Sequence, residues 1–321
     1  MNKVKCAVIG VGYLGNFHAE KYHHLPEAEL VAVCDTNQES CNQIAKKYKT
    51  KPYYDYRGLA NQVTAVSIAT PTTQHHDIAK FFLENNIHVL VEKPITTTVA
   101  EAENLIEIAN KNNLILQVGH LERFNPALTY AEGQFENPRF IESIRLAPFK
   151  ERGSDVNVIL DLMIHDIDII QSLIHSKIKR IDAIGAPVIS PHYDITNARI
   201  TFENGCITNV TASRVSIKTE RKLRIFQHNA YMSLDLHNKE VNIYKKGKGQ
   251  LLAGIPNIST DHKTFSKSDA LKDEIGAFLN SIVASKPPVV SGEDGKNALA
   301  TAIEITHMVN EYAKENSDYC G

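Results

Sequence analysis

Side chains able to hold or move protons recur in this chain at regular spacings. Glu92-Lys93-Pro94 closes a short apolar run, and Asp161, His165, Asp168 and Ser172 follow one another at +4, +3 and +4 within VILDLMIHDIDIIQSLI, residues 158–174. Helical spacing lines the latter four up as one polar stripe on an otherwise apolar helix. Such a stripe is a solvated face or the wall of a cleft, and the Ile, Leu, Met and Val around it favour the cleft. The apolar run 87–92 reads as a strand, and open parallel sheets collect ligands beyond the carboxyl ends of their strands, where Lys93 would stand. Pro94 pushes Lys93 toward an extended conformation, and the bond between them is a candidate for the cis form. The 14 histidines include no H-E-x-x-H or comparable ligand spacing, so no metal is expected.

A third constellation opens the chain. In VKCAVIGVGYLG, residues 4–9 form a β-branched apolar run of the kind buried on both faces of a parallel sheet, and Gly10, Gly12 and Gly15 follow at G-x-G-x-x-G spacing. The first glycine permits a tight turn, the second lets backbone approach a pyrophosphate, and the third brings helix close to strand. Phosphate would then rest on a helix starting at Tyr13 and Leu14. Asp35 ends a second buried run, 20 residues beyond Gly15, where a carboxylate can accept hydrogen bonds from ribose hydroxyls and repel a 2′-phosphate. Thr36 follows it, with no arginine nearby, so NAD is expected over NADP. Asp35 could also cap the helix read at 39–48, and the two roles are compatible.

The elements that must position these groups follow from pattern and punctuation. Helices are predicted at 13–24, 39–48, 74–85 and 99–112, alternating with strands at 29–34, 63–69, 87–92 and 114–118. This βαβα array of about 120 residues is the doubly wound pattern of a parallel sheet. Beyond Gly119, runs at 139–149, 178–189, 197–215 and 222–246 alternate like half-buried strands, with a turn signal at Glu203-Asn204-Gly205. Helices at 157–174, 268–285 and 293–315 should cover one face of that mostly antiparallel sheet, leaving the other for a partner subunit. The fold class is therefore α/β: a Rossmann domain over 1–120 and an α+β domain over 121–321.

Composition narrows the partners. At 321 residues, 43% hydrophobic, 22% charged and a formal net charge of -2, the chain has no global attraction to nucleic acid or anionic membranes. No run of 18 apolar residues suggests a membrane span. The five cysteines, Cys6, Cys34, Cys41, Cys206 and Cys320, are odd in number and lack a C-x-x-C pair, which points to reduced thiols and a cytoplasmic location.

Taken in order, Gly10-x-Gly12-x-x-Gly15, Ala69-Thr70-Pro71 with His75, Glu92-Lys93-Pro94, Asp161-x-x-x-His165 and Ser291-Gly292-Glu293-Asp294-Gly295 resemble the glucose-fructose oxidoreductase and inositol dehydrogenase family (Gfo/Idh/MocA) over nearly the whole chain. The resemblance implies nicotinamide-dependent oxidation or reduction of sugars and cyclitols by a homodimer or homotetramer formed through the C-terminal sheet. It makes Lys93, Asp161 and His165 the catalytic group, with Thr70, Pro71, His75, Glu92 and Lys93 beside the cofactor. In that role His165 would take the hydroxyl proton, Lys93 would hydrogen-bond the same oxygen, and Asp161 would bind a substrate hydroxyl or fix the imidazole. His75 and its neighbour His76 could equally be ordinary residues at a helix start, and Glu92 would position Lys93.

Residues 119–127, GHLERFNPA, and 155–170 are similar to members that oxidise the C3 hydroxyl of UDP-N-acetylglucosamine. That similarity adds His120, Arg123 and Asn125 to the substrate-binding residues, with Arg123 offering a planar fork to a diphosphate or pairing with Glu122 or another carboxylate. A free cyclitol or aldose such as myo-inositol is the alternative substrate. A nicotinamide-sensing regulator could keep the glycine turn without catalysis, but Lys93, Asp161 and His165 and the lack of a basic DNA-reading module argue against it.

Overall fold

The computed structural model describes residues 3–150, 156–252, 255–266 and 268–316, so Cys320 and Asp155 lie outside the described residues. The chain divides into two compact units, one of residues 1–121 and 269–299 and one of 122–268 and 300–321.

In the first unit, β1 (Val4–Ile9), α1 (Tyr13–His24), β2 (Ala28–Cys34), α2 (Gln38–Tyr48), β3 (Lys51–Tyr53), β4 (Ala65–Ile68), α3 (His75–Glu84), β5 (His88–Glu92), α4 (Val99–Lys111) and β6 (Leu116–Gly119) alternate along the chain. The strands form one parallel sheet in the order β3-β2-β1-β4-β5-β6. Every residue of β4 and β6 is buried, as expected of strands covered on both faces. Strand β3 was not among the expected elements: it has three residues and carries Pro52, which a sheet tolerates at its edge. Thr98 and Glu101 form a capping box that starts α4.

The second unit contains α5 (Pro126–Ala131), β7 (Phe140–Leu146) and a π-helical turn at Ile159–Met163 that runs into α6 (Ile164–Leu173). There follow β8 (Ile178–Ala186), β9 (Ile195–Phe202), β10 (Ile207–Ser213), β11 (Glu220–Gln227), β12 (Ala230–Asp235), β13 (Glu240–Leu252) and β14 (Ile255–Thr264). These eight strands form one sheet in the order β14-β13-β12-β11-β7-β10-β9-β8, antiparallel except for β7 beside β10. The run 197–215 is split at Glu203-Asn204-Gly205, where Gly205 takes a φ of +84°. In β7, Ile141, Ser143 and Arg145 face inward, giving the strict alternation of a sheet covered on one side. On the other side Phe140, Phe226, Tyr231 and Tyr244 make a cross-strand ladder with centroids 5.6, 4.8 and 5.6 Å apart, which pins the register of four strands.

The C-terminal helices depart from expectation. α7 (Ala270–Ala284) buries Ile275, Phe278 and Leu279 in the same core as Val4, Cys6, Tyr22 and Leu25, so it packs in the first unit rather than on the antiparallel sheet. α8 (Gly292–Glu315) contributes residues up to Leu299 to the first unit and residues from Ala300 to the second. In the second unit Gln171 Nε2 donates to Thr301 Oγ1 at 2.8 Å, and Asn157 Nδ2 donates to Thr306 Oγ1 at 3.2 Å. An amphipathic stripe states that a helix must be covered but not which surface covers it, hence the shift from the 121–321 boundary. Cys6, Cys34, Cys41 and Cys206 are all buried free thiols. Burial pushes Cys34 up to about 12 and Cys206 up to about 11.

Candidate active site

The glycine turn is built to receive a phosphate. Gly10 has a φ of +81°, in the left-handed region, and a Cβ there would lie 2.8 Å from the Ala69 carbonyl oxygen. At Gly15 a Cβ would lie 1.8 Å from the Gly10 oxygen, so this glycine is demanded by the chain itself. A Cβ on Gly12 meets nothing within 4 Å, so its bareness serves space outside the chain. Gly12 is also the N-cap of α1, with no side-chain cap and no acid in the first turn. By contrast α2, α4 and α7 are capped by the side chains of Asn37, Thr98 and Asp269. A helix end without a side-chain cap leaves amide donors and the positive end of the helix dipole for an anion. Tyr13 and Leu14 flank the turn with exposed side chains.

Asp35 stands at the end of β2 and accepts the Val11 amide on Oδ2 and the Asn37 amide on Oδ1, both at 2.8 Å. Capping of α2 falls to Asn37, whose Oδ1 accepts the Ser40 amide at 3.0 Å. The capping role weighed for Asp35 therefore belongs two residues later. Each carboxylate oxygen of Asp35 keeps a further lone pair for a ribose hydroxyl.

The loops after β4 and β5 are joined by one histidine. His75 is buried, with Nδ1 2.9 Å from the Pro94 carbonyl oxygen and Nε2 2.9 Å from that of Thr70. Burial lowers its pKa, although both carbonyls pull the other way, so the ring is neutral at pH 7 and donates to one of them at a time. Its expected part in cofactor binding thus narrows to shaping the loops that carry Thr70, Pro71 and Lys93. Thr70 Oγ1 is buried without a hydrogen-bond partner in the chain, a vacancy that a polar cofactor atom can satisfy. The Lys93-Pro94 bond is cis. Glu92 Oε1 lies 3.0 Å from His18 Nε2, and a Cβ on Gly119 would lie 3.1 Å from the Glu92 carboxyl. Burial raises the Glu92 pKa, but the His18 hydrogen bond and the nearby charges of His18, Lys93 and His75 outweigh it, so the net shift is downward. The open space at Gly12, the uncapped α1, the Asp35 carboxylate and the Thr70 hydroxyl together fit a dinucleotide. His120, at the end of this unit's first segment, is fully buried.

In the second unit Asp161 lies within the π turn and His165 in the first turn of α6, both half-buried. The Ile164 amide bonds back to the Ile159 carbonyl, five residues earlier, and π turns of this kind occur often at functional sites. The rest of the expected stripe parts company with them. Asp168 is buried and accepts from Arg123 Nη1 at 3.4 Å, and the Ser172 hydroxyl donates to the Ile169 carbonyl at 2.7 Å. Arg123 therefore pairs with a carboxylate, the second of the two roles weighed for it. Asn125 is likewise structural: Nδ2 donates to Glu122 at 3.2 Å and to the Leu236 carbonyl at 2.8 Å, while Oδ1 caps α5 at the Ala127 amide.

Sequence reasoning missed the ion cluster that begins at Asp166, the residue after His165. Asp166 accepts from Arg145 Nε at 2.6 Å, from Arg145 Nη2 at 3.2 Å and from the Ser143 hydroxyl at 2.8 Å. Arg145 Nη1 reaches Glu122 Oε1 at 3.0 Å, and Arg221 Nη1 reaches the same oxygen at 2.8 Å. Glu122, Arg145 and Asp166 are all buried, so α6 is fixed to β7 by paired charges immediately next to His165. The available signal was Ser143 and Arg145 at inward positions of an alternating strand, which require a buried partner.

A family model described as an oxidoreductase family with NAD-binding Rossmann fold (GFO_IDH_MocA) matches residues 4–120, and one for the GFO/IDH/MocA C-terminal domain matches 127–232. The chain belongs to the Gfo/Idh/MocA oxidoreductases, and its first unit carries an NAD-binding Rossmann domain. It is 37% identical over 313 residues to the UDP-N-acetylglucosamine 3-dehydrogenase of Acidithiobacillus ferrooxidans, which covers 97% of this chain and 99% of that one. A solved structure of that enzyme superposes with a TM-score of 0.91. The scyllo-inositol 2-dehydrogenase (NAD(+)) of Bacillus subtilis is 28% identical over 330 residues, 95% of this chain and 94% of that one. A scyllo-inositol dehydrogenase from Lactobacillus casei, solved with bound NAD(H) and scyllo-inositol, has a TM-score of 0.81 at 20% identity over 97% of this chain and 98% of that one, which speaks to the fold alone.

Proposed function

We propose that this protein oxidises the C3 hydroxyl of UDP-N-acetylglucosamine to the ketone, with NAD preferred over NADP. The observation that carries the substrate is the end-to-end similarity to an enzyme named for that reaction, at 37% identity against 28% for the inositol dehydrogenase. Asp35 supports the preference for NAD, since a carboxylate there repels a 2′-phosphate.

Bound NAD supplies the hydride acceptor, and Gly12, the first turn of α1, Asp35 and Thr70 hold it. The protein's own contribution is to the hydroxyl being oxidised. His165 takes the hydroxyl proton on an imidazole nitrogen, Lys93 donates to the oxygen as negative charge develops, and Asp161 binds a neighbouring hydroxyl or orients the ring. Reduced buried cysteines support a cytoplasmic location, and the aromatic face of the second sheet supports assembly into a homodimer or homotetramer.

Oxidation of an alcohol by NAD is uphill near neutral pH, so a single-turnover experiment is the appropriate test. Stoichiometric protein and NAD are mixed with UDP-N-acetylglucosamine, myo-inositol or glucose, and NADH formation is followed with the keto product identified by mass. The chain has no tryptophan, which keeps the fluorescence background low. A burst with the nucleotide-sugar alone is expected; a burst only with myo-inositol or glucose overturns the assignment.

A further inference from the structure

Glu92 sits in a narrow seat at the end of β5. Its carboxyl lies 3.0 Å from His18 Nε2 on α1, and on the β6 side only the missing side chain of Gly119 leaves room, since a Cβ there would stand 3.1 Å from both the carboxyl carbon and Oε1. His18 is fully buried, and its Nδ1 has no hydrogen-bond partner in the chain. A ring with a single partner is oriented by that partner, so Nε2 carries the hydrogen that Glu92 accepts. Charges that bear on Glu92 come from His18 on α1, His75 on α3 and Lys93, the residue that follows it beyond β5, while β6 contributes no ionisable group. His18 bonds the carboxylate directly, and its side chain reaches it from a different element.

We propose that His18 is a positioning residue, which holds the Glu92 carboxylate in place beside Lys93 and so couples the lysine's charge to the helix that carries the dinucleotide-binding turn. His18 is five residues into the helix whose first turn receives the cofactor, and Glu92 directly precedes the lysine. A shift of α1 therefore moves the hydrogen bond that keeps a negative charge next to Lys93. The inference rests on Lys93 being the residue that meets the substrate oxygen, yet its central claim concerns Lys93 in the protein alone.

The test compares His18→Gln, whose amide nitrogen falls near the position of Nε2, with His18→Asn, whose shorter side chain does not reach Glu92. Lysines in the full-length protein are reductively methylated with 13C-formaldehyde, the Lys93 signal is identified by its loss in Lys93→Arg, and its titration is followed by NMR. In Glu92→Gln, loss of the neighbouring carboxylate should lower the Lys93 midpoint by about 1 unit, as removal of an opposite charge at ~4–6 Å does. His18→Asn should shift it in the same direction, and His18→Gln should restore most of the difference. The alkaline limb of the kcat profile should move to lower pH in His18→Asn, with the NADH dissociation constant changed less than about twofold. Equal midpoints in His18→Asn, His18→Gln and the unsubstituted protein, with unchanged thermal melts, overturn the proposal. Normal turnover in Lys93→Ala would instead remove Lys93 from the mechanism and leave the titration result standing.

Discussion

The Asp35 carboxylate accepts the Val11 amide hydrogen at 2.8 Å across 24 residues, fastening the end of β2 to the middle of the glycine turn. One side chain thus shapes the glycine turn and, in the role proposed for it, would also meet the ribose. Asp35→Ser should weaken NADH binding and narrow its advantage over NADPH, because the carboxylate that repels the 2′-phosphate and anchors the turn is lost at once. Fluorescence titration of both reduced cofactors measures the ratio. NADPH binding as tight as NADH in the unsubstituted protein would remove Asp35 from cofactor selection.

Gly12 and Gly15 should respond oppositely to alanine. Gly15→Ala drives a Cβ to 1.8 Å from the Gly10 carbonyl oxygen and should destabilise the first unit by about 3 kcal/mol or more, read as a fall in the urea midpoint. Gly12→Ala has free space and a φ of −65°, so the melt should be unchanged while NADH affinity drops at least tenfold, roughly 1.4 kcal/mol.

Lys93→Ala and His165→Ala should each lower single-turnover rates by roughly 10²- to 10⁴-fold, with NADH binding nearly intact, the range of a positioned acid or base. Near-normal rates in both would place the proton chemistry elsewhere.

Acid stability should depend on Asp194, which accepts the amides of Val188, Ile189 and Ser190, the Ser190 hydroxyl and Arg214 Nε. Burial alone raises its pKa, but these donors outweigh it and hold the carboxyl well below the usual range. A folded pKa depressed below the unfolded one stabilises fully above the unfolded value of about 3.9 and loses that contribution as pH falls toward the folded value. The Asp194 contribution, read as the difference in melting temperature between the unsubstituted protein and Asp194→Asn, should therefore stay level down to about pH 4 and shrink below it. Asp194→Asn should lose about 3–5 kcal/mol at pH 7, the cost of breaking a buried pair, and show a shallower decline in acid.

How much the sequence disclosed tracks how local each interaction is. The glycine turn was legible because its geometry is set by neighbours a few residues away, and Asp35 because a βαβ unit of ordinary length brings the end of its second strand to that turn. The cluster of Arg145 with Asp166 and Glu122 spans 21 and 23 residues, and no spacing rule selects those partners. For the same reason Arg123 and Asn125, read as substrate ligands, proved to face Asp168, Glu122 and Leu236. The π turn was hidden because nearly every position of 158–164 is apolar, so one extra residue in a turn leaves no mark on the pattern.

The four buried thiols among the described residues make each unit its own reporter. Cys6, Cys34 and Cys41 belong to the first unit and Cys206 to the second, and none can meet a reagent while its unit stays closed. Alkylation of these positions would therefore proceed at the rate of opening rather than of thiol chemistry. Mapping the modified cysteines by mass over time would separate the breathing of the NAD-binding sheet from that of the antiparallel one. A cofactor that binds only the closed first unit would then slow three of the four labels and spare Cys206.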